Sequence, residues 1–94
     1  MNKAIVINKM DSVATSITDI EAGSTVHVKS GSEITVKVRQ SIPFGHKFAL
    51  EKIEEGDSVI KYGEVIGRAT QTIEKGDHVH VHNVESMRGR GDLE

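Results

Sequence analysis

The sequence predicts a small, mostly β domain with one short helix near its N-terminus. A segment of the form Ile-Glu-x-Gly-[Ser/Asp]-x-Val occurs three times, beginning at Ile20, Ile53 and Ile73. In each copy, a glycine that is free to adopt positive φ would make a tight turn between a buried isoleucine and a following strand. Between the copies, apolar and polar residues alternate, as they do in strands with one buried face. Because the spacing of the copies is unequal, we expect one compact β domain and no solenoid.

The elements follow in chain order. The apolar start predicts a strand over residues 3–8. A helix is predicted over residues 11–20, because Val13, Ile17 and Ile20 recur at helical spacing and Asp11 can cap the first turn. A hairpin is predicted over residues 25–38, around the glycine of a Ser-Gly-Ser turn. Shorter strands are predicted at 47–50, 58–61, 64–69 and 78–82. The domain is predicted to span residues 1–84, and residues 85–94, which lack periodicity, are predicted to be a linker or flexible tail.

Length and composition exclude several classes of protein. The chain has 94 residues, which fits one domain. A domain of this length buries a smaller fraction of its surface than a longer one does, so we expect it to be marginally stable without a partner. It has no cysteine, so disulfides and thiolate metal sites are excluded. Its net charge of −2 is too small to drive binding to nucleic acid. No segment is long and apolar enough for a signal peptide or a membrane span, so we expect a soluble cytoplasmic protein. Homo-oligomerisation is left open.

The run His78-Val79-His80-Val81-His82 is the most informative segment for chemistry. On a strand, the three histidines would share one face and the two valines the other. Alternate residues lie about 6.5–7 Å apart along a strand, so two of the imidazoles could share one metal ion. A further ligand would have to come from His46, Asp77 or a partner chain. The alternative is a half-exposed strand whose polar face is made of histidine.

Two other segments offer polar groups to a ligand. A proline and a glycine bend the chain before His46 and Lys47, which places both at the tip of a loop, while Phe44 and Phe48 are expected to pack in the core. Lys61 and Arg68 could hold a carboxylate. The alternative for each cation is a solvated surface charge. The chain has no nucleophile elbow, phosphate-binding loop or His-Glu-x-x-His motif, so a free-standing enzyme is not expected.

Three longer motifs resemble the small N-terminal domain of the altronate/galactarate dehydratase family. They are Pro43-Phe44-Gly45-His46-Lys47-Phe48-Ala49-Leu50, Gly56-Asp57-x-Val59-Ile60-Lys61-Tyr62-Gly63-x-x-Ile66-Gly67 and Gly76-Asp77-His78-Val79-His80-Val81-His82-Asn83. Residues 11–15 resemble the opening of that domain, and residues 88–93 resemble the segment that leads into the family's large catalytic domain.

The resemblance implies a fold, an activity and a set of site residues. The fold would be a SAF-type β-clip, and the family's hydro-lyases dehydrate acidic sugars with a divalent metal, commonly iron or manganese. Carried over by position, His46, His80 and His82 are the expected catalytic residues. His80 and His82 are the expected metal ligands. The expected substrate contacts are Asn83, which is carried over in the same way, and Lys47, Lys61 and Arg68, which the residues themselves indicate.

We therefore expect a small accessory subunit, or an excised N-terminal domain, of a sugar-acid dehydratase such as altronate dehydratase. It would help to form the active site of a large catalytic subunit and would be inactive alone. One alternative is the alpha subunit of (2R)-3-sulfolactate sulfo-lyase, a relative of similar size that expels sulfite. The other alternative is a stand-alone SAF module that binds carbohydrate. The sequence leaves the acid and the metal open.

Overall fold

The computed structural model describes residues 3–86, which form strands joined by turns and contain no helix. None of these residues belongs to a helix of the length and hydropathy that a membrane crossing requires. The nine strands of the described part are β1 (Ala4–Ile5), β2 (Val13–Ser16), β3 (Thr25–Ser30), β4 (Ser32–Lys37), β5 (Lys47–Ala49), β6 (Ser58–Lys61), β7 (Glu64–Ala69), β8 (His78–Val79) and β9 (Val84–Ser86). The mostly β prediction is confirmed.

A central antiparallel sheet in the order β1-β2-β5-β8 separates two apolar cores. Because successive side chains of a strand point to opposite faces, Ala14 and Phe48 face one core, whereas Val13 and Ala49 face the other. The first core is closed by the β3–β4 hairpin, and the second by the three-stranded sheet β6-β7-β9. Both faces of the central sheet are therefore buried.

The three repeated segments make the same turn, as predicted. Gly23, Gly56 and Gly76 have φ values of 88°, 91° and 91°. In each turn, the residue after the glycine donates its N–H to the carbonyl of the glutamate three positions earlier, at 2.9–3.1 Å. The structure adds a fourth copy. Gly45 has φ 85°, and His46 donates its N–H to the Pro43 carbonyl at 3.0 Å.

The four turns belong to two similar halves of the chain. Ile20 bridges Ile42 across the first half, and Ile53 bridges Ile73 across the second. Each half consists of a central strand, a glycine turn, a hairpin and a second glycine turn: β2 to the Gly45 turn, then β5 to the Gly76 turn. Because β5 pairs antiparallel with β8, the strands that follow the second turns of the two halves lie side by side. This arrangement brings together the residues that follow each turn.

The predicted helix over residues 11–20 is wrong. Residues 13–16 form β2, which pairs with both β1 and β5. Of the three residues that suggested helical periodicity, Val13 and Ile20 are buried but Ile17 is 44% exposed. Asp11 does not cap a helix, because its carboxylate accepts the N–H groups of Asn8 and Gly63. Long-range pairing of the backbone has overridden a short apolar pattern that fits either element.

Other boundaries also differ from the predictions. The first strand covers only Ala4–Ile5, and β8 ends at Val79, so Val81 lies in a turn and is 83% exposed. Phe48 is fully buried as expected, whereas Phe44 is 68% exposed. The unpredicted β9 pairs with β7 and runs two residues past the predicted domain boundary. Residues 87–94 of the predicted tail lie outside the described residues.

Candidate functional site

Three histidine rings stack on one another where β5 meets β8. The ring centroids of His46 and His80 are 4.4 Å apart, those of His46 and His78 are 5.0 Å apart, and those of His78 and His80 are 5.6 Å apart. The three planes lie within 20° of parallel. Nδ1 of His46 and Nε2 of His78 are 2.8 Å apart and share a hydrogen bond. We call these three residues the histidine cluster.

The backbone of each histidine in the cluster is held by a different hydrogen bond. His46 directly follows the Gly45 turn, and its N–H is held by the Pro43 carbonyl. His78 opens β8 opposite Phe48 and donates its N–H to Oε1 of Gln40 at 2.8 Å. The cluster therefore joins two parts of the chain that lie 32 positions apart.

Asn83 sets the position of His80. It is 4% exposed, and its Oδ1 accepts the His80 N–H at 3.0 Å while its Nδ2 donates to the His78 carbonyl at 2.8 Å. These bonds close a turn directly after β8, and the turn places the His80 ring against His46. Asn83, expected to contact substrate, has its side-chain amide engaged by the backbone of this turn.

From the sequence, His80 and His82 are expected to bind metal, but the fold brings a different set of histidines together. One ring nitrogen from each of His46, His78 and His80 lies within 4.8 Å of the other two, and His82 is outside that group. The His82 ring is tilted by 40° against His78, at a centroid distance of 5.5 Å. The Asp77 carboxylate accepts from Gln40 and from the backbone of Glu74, so it is already engaged.

A cavity of about 350 Å³ lies beside the histidine cluster, and His80 belongs to both. Lys47 and Lys61 line this cavity with Tyr62 and with apolar residues of β7, β8 and β9. Burial lowers the pKa of the Lys47 ammonium, and the nearby Lys61 ammonium lowers it further. Within residues 3–86, neither lysine forms an ion pair with a carboxylate. The cavity is therefore positively charged.

The expected substrate contacts divide into two groups. Lys47 and Lys61 meet at the cavity, whereas Arg68 pairs with Glu85 at 3.1 Å and is not among the lining residues. Sequence reasoning did not select His78 as a site residue, although its place in the histidine run was a sufficient signal. It also did not select Tyr62, whose ring lies 4.6 Å under the Lys61 ammonium.

Acidification should destabilise the metal-free chain. Burial lowers the pKa of His78 below its ordinary 6.5, and His46, His82 and His80 add to the effect. The unfolded chain then binds more protons than the folded chain between the two pKa values, so stability rises with pH through that window. We expect a lower free energy of unfolding at pH 5.5 than at pH 7.5, measured by urea denaturation with a chelator present. His78→Gln should reduce this difference, whereas an equal reduction in His27→Gln would contradict the assignment.

Comparison with known proteins identifies the domain. Residues 2–87 match the model of the altronate/galactarate dehydratase SAF domain. The chain belongs to this family. The SAF domain is 41% identical over 86 residues to an altronate dehydratase of Bacillus subtilis, covering 92% of this chain and 17% of that protein. It is 44% identical over 82 residues to the altronate dehydratase of Escherichia coli, covering 87% of this chain and 16% of that protein.

A shorter relative matches along most of its length. The SAF domain is 41% identical over 63 residues to the (2R)-sulfolactate sulfo-lyase subunit alpha of Paracoccus pantotrophus, covering 67% of this chain and 94% of that subunit. The SAF domain thus accounts for a small fraction of the altronate dehydratases and for nearly all of this alpha subunit.

Proposed function

We propose that this SAF domain forms the acid-binding wall of a lyase active site whose remaining part is supplied by a larger catalytic chain or domain. The observation that carries the proposal is the positively charged cavity. Lys47 and Lys61 line it without carboxylate partners among residues 3–86, and His80 lies on the same wall. Two ammonium groups held close together gain most from a ligand that brings negative charge between them.

The chemistry of acid elimination explains why such a wall would help. When a proton leaves the carbon next to a carboxylate, negative charge grows on the carboxylate, and the electron pair then expels a β-substituent. Lys47 and Lys61 would bind the carboxylate and stabilise that charge, because cations act strongly in a partly dehydrated cavity. When it binds no metal ion, the imidazole of His80 could accept the proton, because burial and the neighbouring His46 and Lys47 lower its pKa and favour the neutral ring.

The relatives support two substrates for this wall. A dehydratase reaction on a sugar acid such as altronate is the first proposal, since altronate dehydratases match most of the chain. Sulfite elimination from sulfolactate is the second, since an alpha subunit of that lyase is matched over 94% of its length. Both acids carry the carboxylate that the lysines would bind.

The two similar halves of the chain also support the finer proposal of a β-clip fold.

Reconstitution with a larger catalytic chain of the family tests the proposal. We expect the two chains to elute together in size-exclusion chromatography and to convert altronate, galactarate or sulfolactate only as a mixture. Lys47→Ala should raise KM about 10-fold or more, because a charge-assisted hydrogen bond contributes about 1.5–3 kcal/mol.

The matched control is Lys37→Ala, because Lys37 is exposed on the β3–β4 hairpin and is not among the residues that line the cavity. This variant should keep the KM of the unaltered mixture. A mixture that forms no complex and eliminates neither water nor sulfite would overturn the proposal. Equal effects of Lys47→Ala and Lys37→Ala on KM would show that the cavity does not bind the substrate.

A further inference from the structure

We infer that His46, His78 and His80 form a binding site for one divalent transition-metal ion. This site is a property of the SAF domain itself, so it can be tested without the larger catalytic chain and does not depend on the proposed function. It differs from the pair His80 and His82 that the sequence analysis expected.

The distances within the histidine cluster suit a shared ion. A metal–imidazole bond is about 2.1 Å long, so two nitrogens on one ion lie about 3.0–3.4 Å apart. His46 and His78 already present nitrogens 2.8 Å apart, and one nitrogen from each of the three rings lies within 4.8 Å of the other two. His46 and His78 are half-buried and His80 is exposed, so small rotations of the rings can complete the site.

The backbone around the cluster is already ordered, which lowers the entropy cost of binding. The Gly45 turn holds His46, Gln40 holds the N–H of His78, and Asn83 holds the N–H of His80. Asn83 also ties the carbonyl of His78 into the same turn. Each ligand therefore has a partner that fixes its main chain, and only the rings need to adjust.

The donor set determines the class of ion. Three imidazoles without a carboxylate favour Fe²⁺, Co²⁺, Ni²⁺, Cu²⁺ or Zn²⁺ over Mg²⁺ or Ca²⁺, which prefer oxygen. Three protein ligands also leave positions open for a small molecule. Those positions would lie next to the cavity, because His80 lines it.

The competing explanation is that the run of His78, His80 and His82, which is partly exposed, binds metal without a defined site. The two explanations differ in one residue. His46 comes from the other half of the chain, so a defined site requires it and the simple histidine run does not.

Titration of the full, tag-free chain with CoCl2 tests the inference. We expect one Co²⁺ per chain by equilibrium dialysis, with visible absorption bands of Co²⁺ coordinated by nitrogen. His46→Ala, His78→Ala and His80→Ala should each weaken binding by about 10-fold or more, because loss even of a residue that only orients a metal ligand costs about 10- to 100-fold. The matched control is His27→Ala, because His27 is exposed on the β3–β4 hairpin and should leave the affinity unchanged.

Two results would overturn the inference. One is the absence of stoichiometric Co²⁺ binding to the unaltered chain. The other is full affinity in His46→Ala together with losses in His80→Ala and His82→Ala, which would assign the metal to the histidine run. His46→Gln, which keeps a polar side chain of similar size, repeats the test should His46→Ala fail to fold as judged by circular dichroism.

Discussion

Replacing Gly76 with alanine should lower the free energy of unfolding by about 3 kcal/mol or more, from left-handed strain plus steric overlap. Gly76 is buried with φ 91°, and a Cβ built there would overlap the Lys37 carbonyl oxygen. The Gly76 backbone also donates to the Ala49 carbonyl and accepts from the Arg39 N–H, so it cannot move away without loss. Urea denaturation monitored by circular dichroism measures the effect.

Gly56 offers a matched control. It makes the same type of turn as Gly76 with the same φ of 91°, but a Cβ built there meets no atom within 4 Å. Gly56→Ala should therefore cost only the left-handed strain, about 1–2 kcal/mol. Equal losses in the two variants would show that the close approach between Gly76 and Lys37 does not matter for stability.

The turns were the most predictable part of the fold, because they depend on local chemistry. A glycine that follows Ile-Glu-x is sufficient to predict positive φ, and the structure confirms this at Gly23, Gly56 and Gly76. The fourth turn escaped the pattern because Pro43 and Phe44 replace the glutamate and its neighbour. The pairing of Ile20 with Ile42 and of Ile53 with Ile73 shows that the fourth turn corresponds to the Gly76 turn in the other half of the chain.

The predicted helix failed for a different physical reason. The segment 11–20 is short, and its apolar spacing fits a strand followed by an isolated bridge as well as it fits a helix. The choice was made by distant partners, since β2 lies between β1 and β5 and Ser12 exchanges hydrogen bonds with Ile60. Such contacts are long-range and leave no local signal.

The candidate site was predictable in composition and not in geometry. The run of three histidines and the loop residue His46 were visible in the sequence, and so were Lys47 and Lys61. The end of β8 at Val79 was not visible in the sequence, because it depends on hydrogen bonds from the buried side-chain amide of Asn83. That turn separates His82 from the ring nitrogens grouped around His46. The catalytic roles expected for these histidines stay predictions.

In the reconstituted lyase, His80→Ala should reduce kcat by about 100-fold or more, because a positioned acid–base group typically contributes that much. His80 is the residue shared by the histidine cluster and the positively charged cavity. Its loss should therefore affect the reacting atoms more than substrate binding, so kcat should fall further than KM rises. Steady-state kinetics on altronate or sulfolactate would measure both.

The control for this variant is His27→Ala, which should retain full kcat because the hairpin face that carries His27 is exposed. A pH profile distinguishes chemistry from structure. If His80 moves a proton, one limb of the kcat profile should disappear in His80→Ala, whereas a role in folding alone would lower the profile without changing its shape. A drop in kcat with an unchanged profile would therefore contradict proton transfer by His80 and would be the result expected if its ring is held by a metal ion in the histidine cluster.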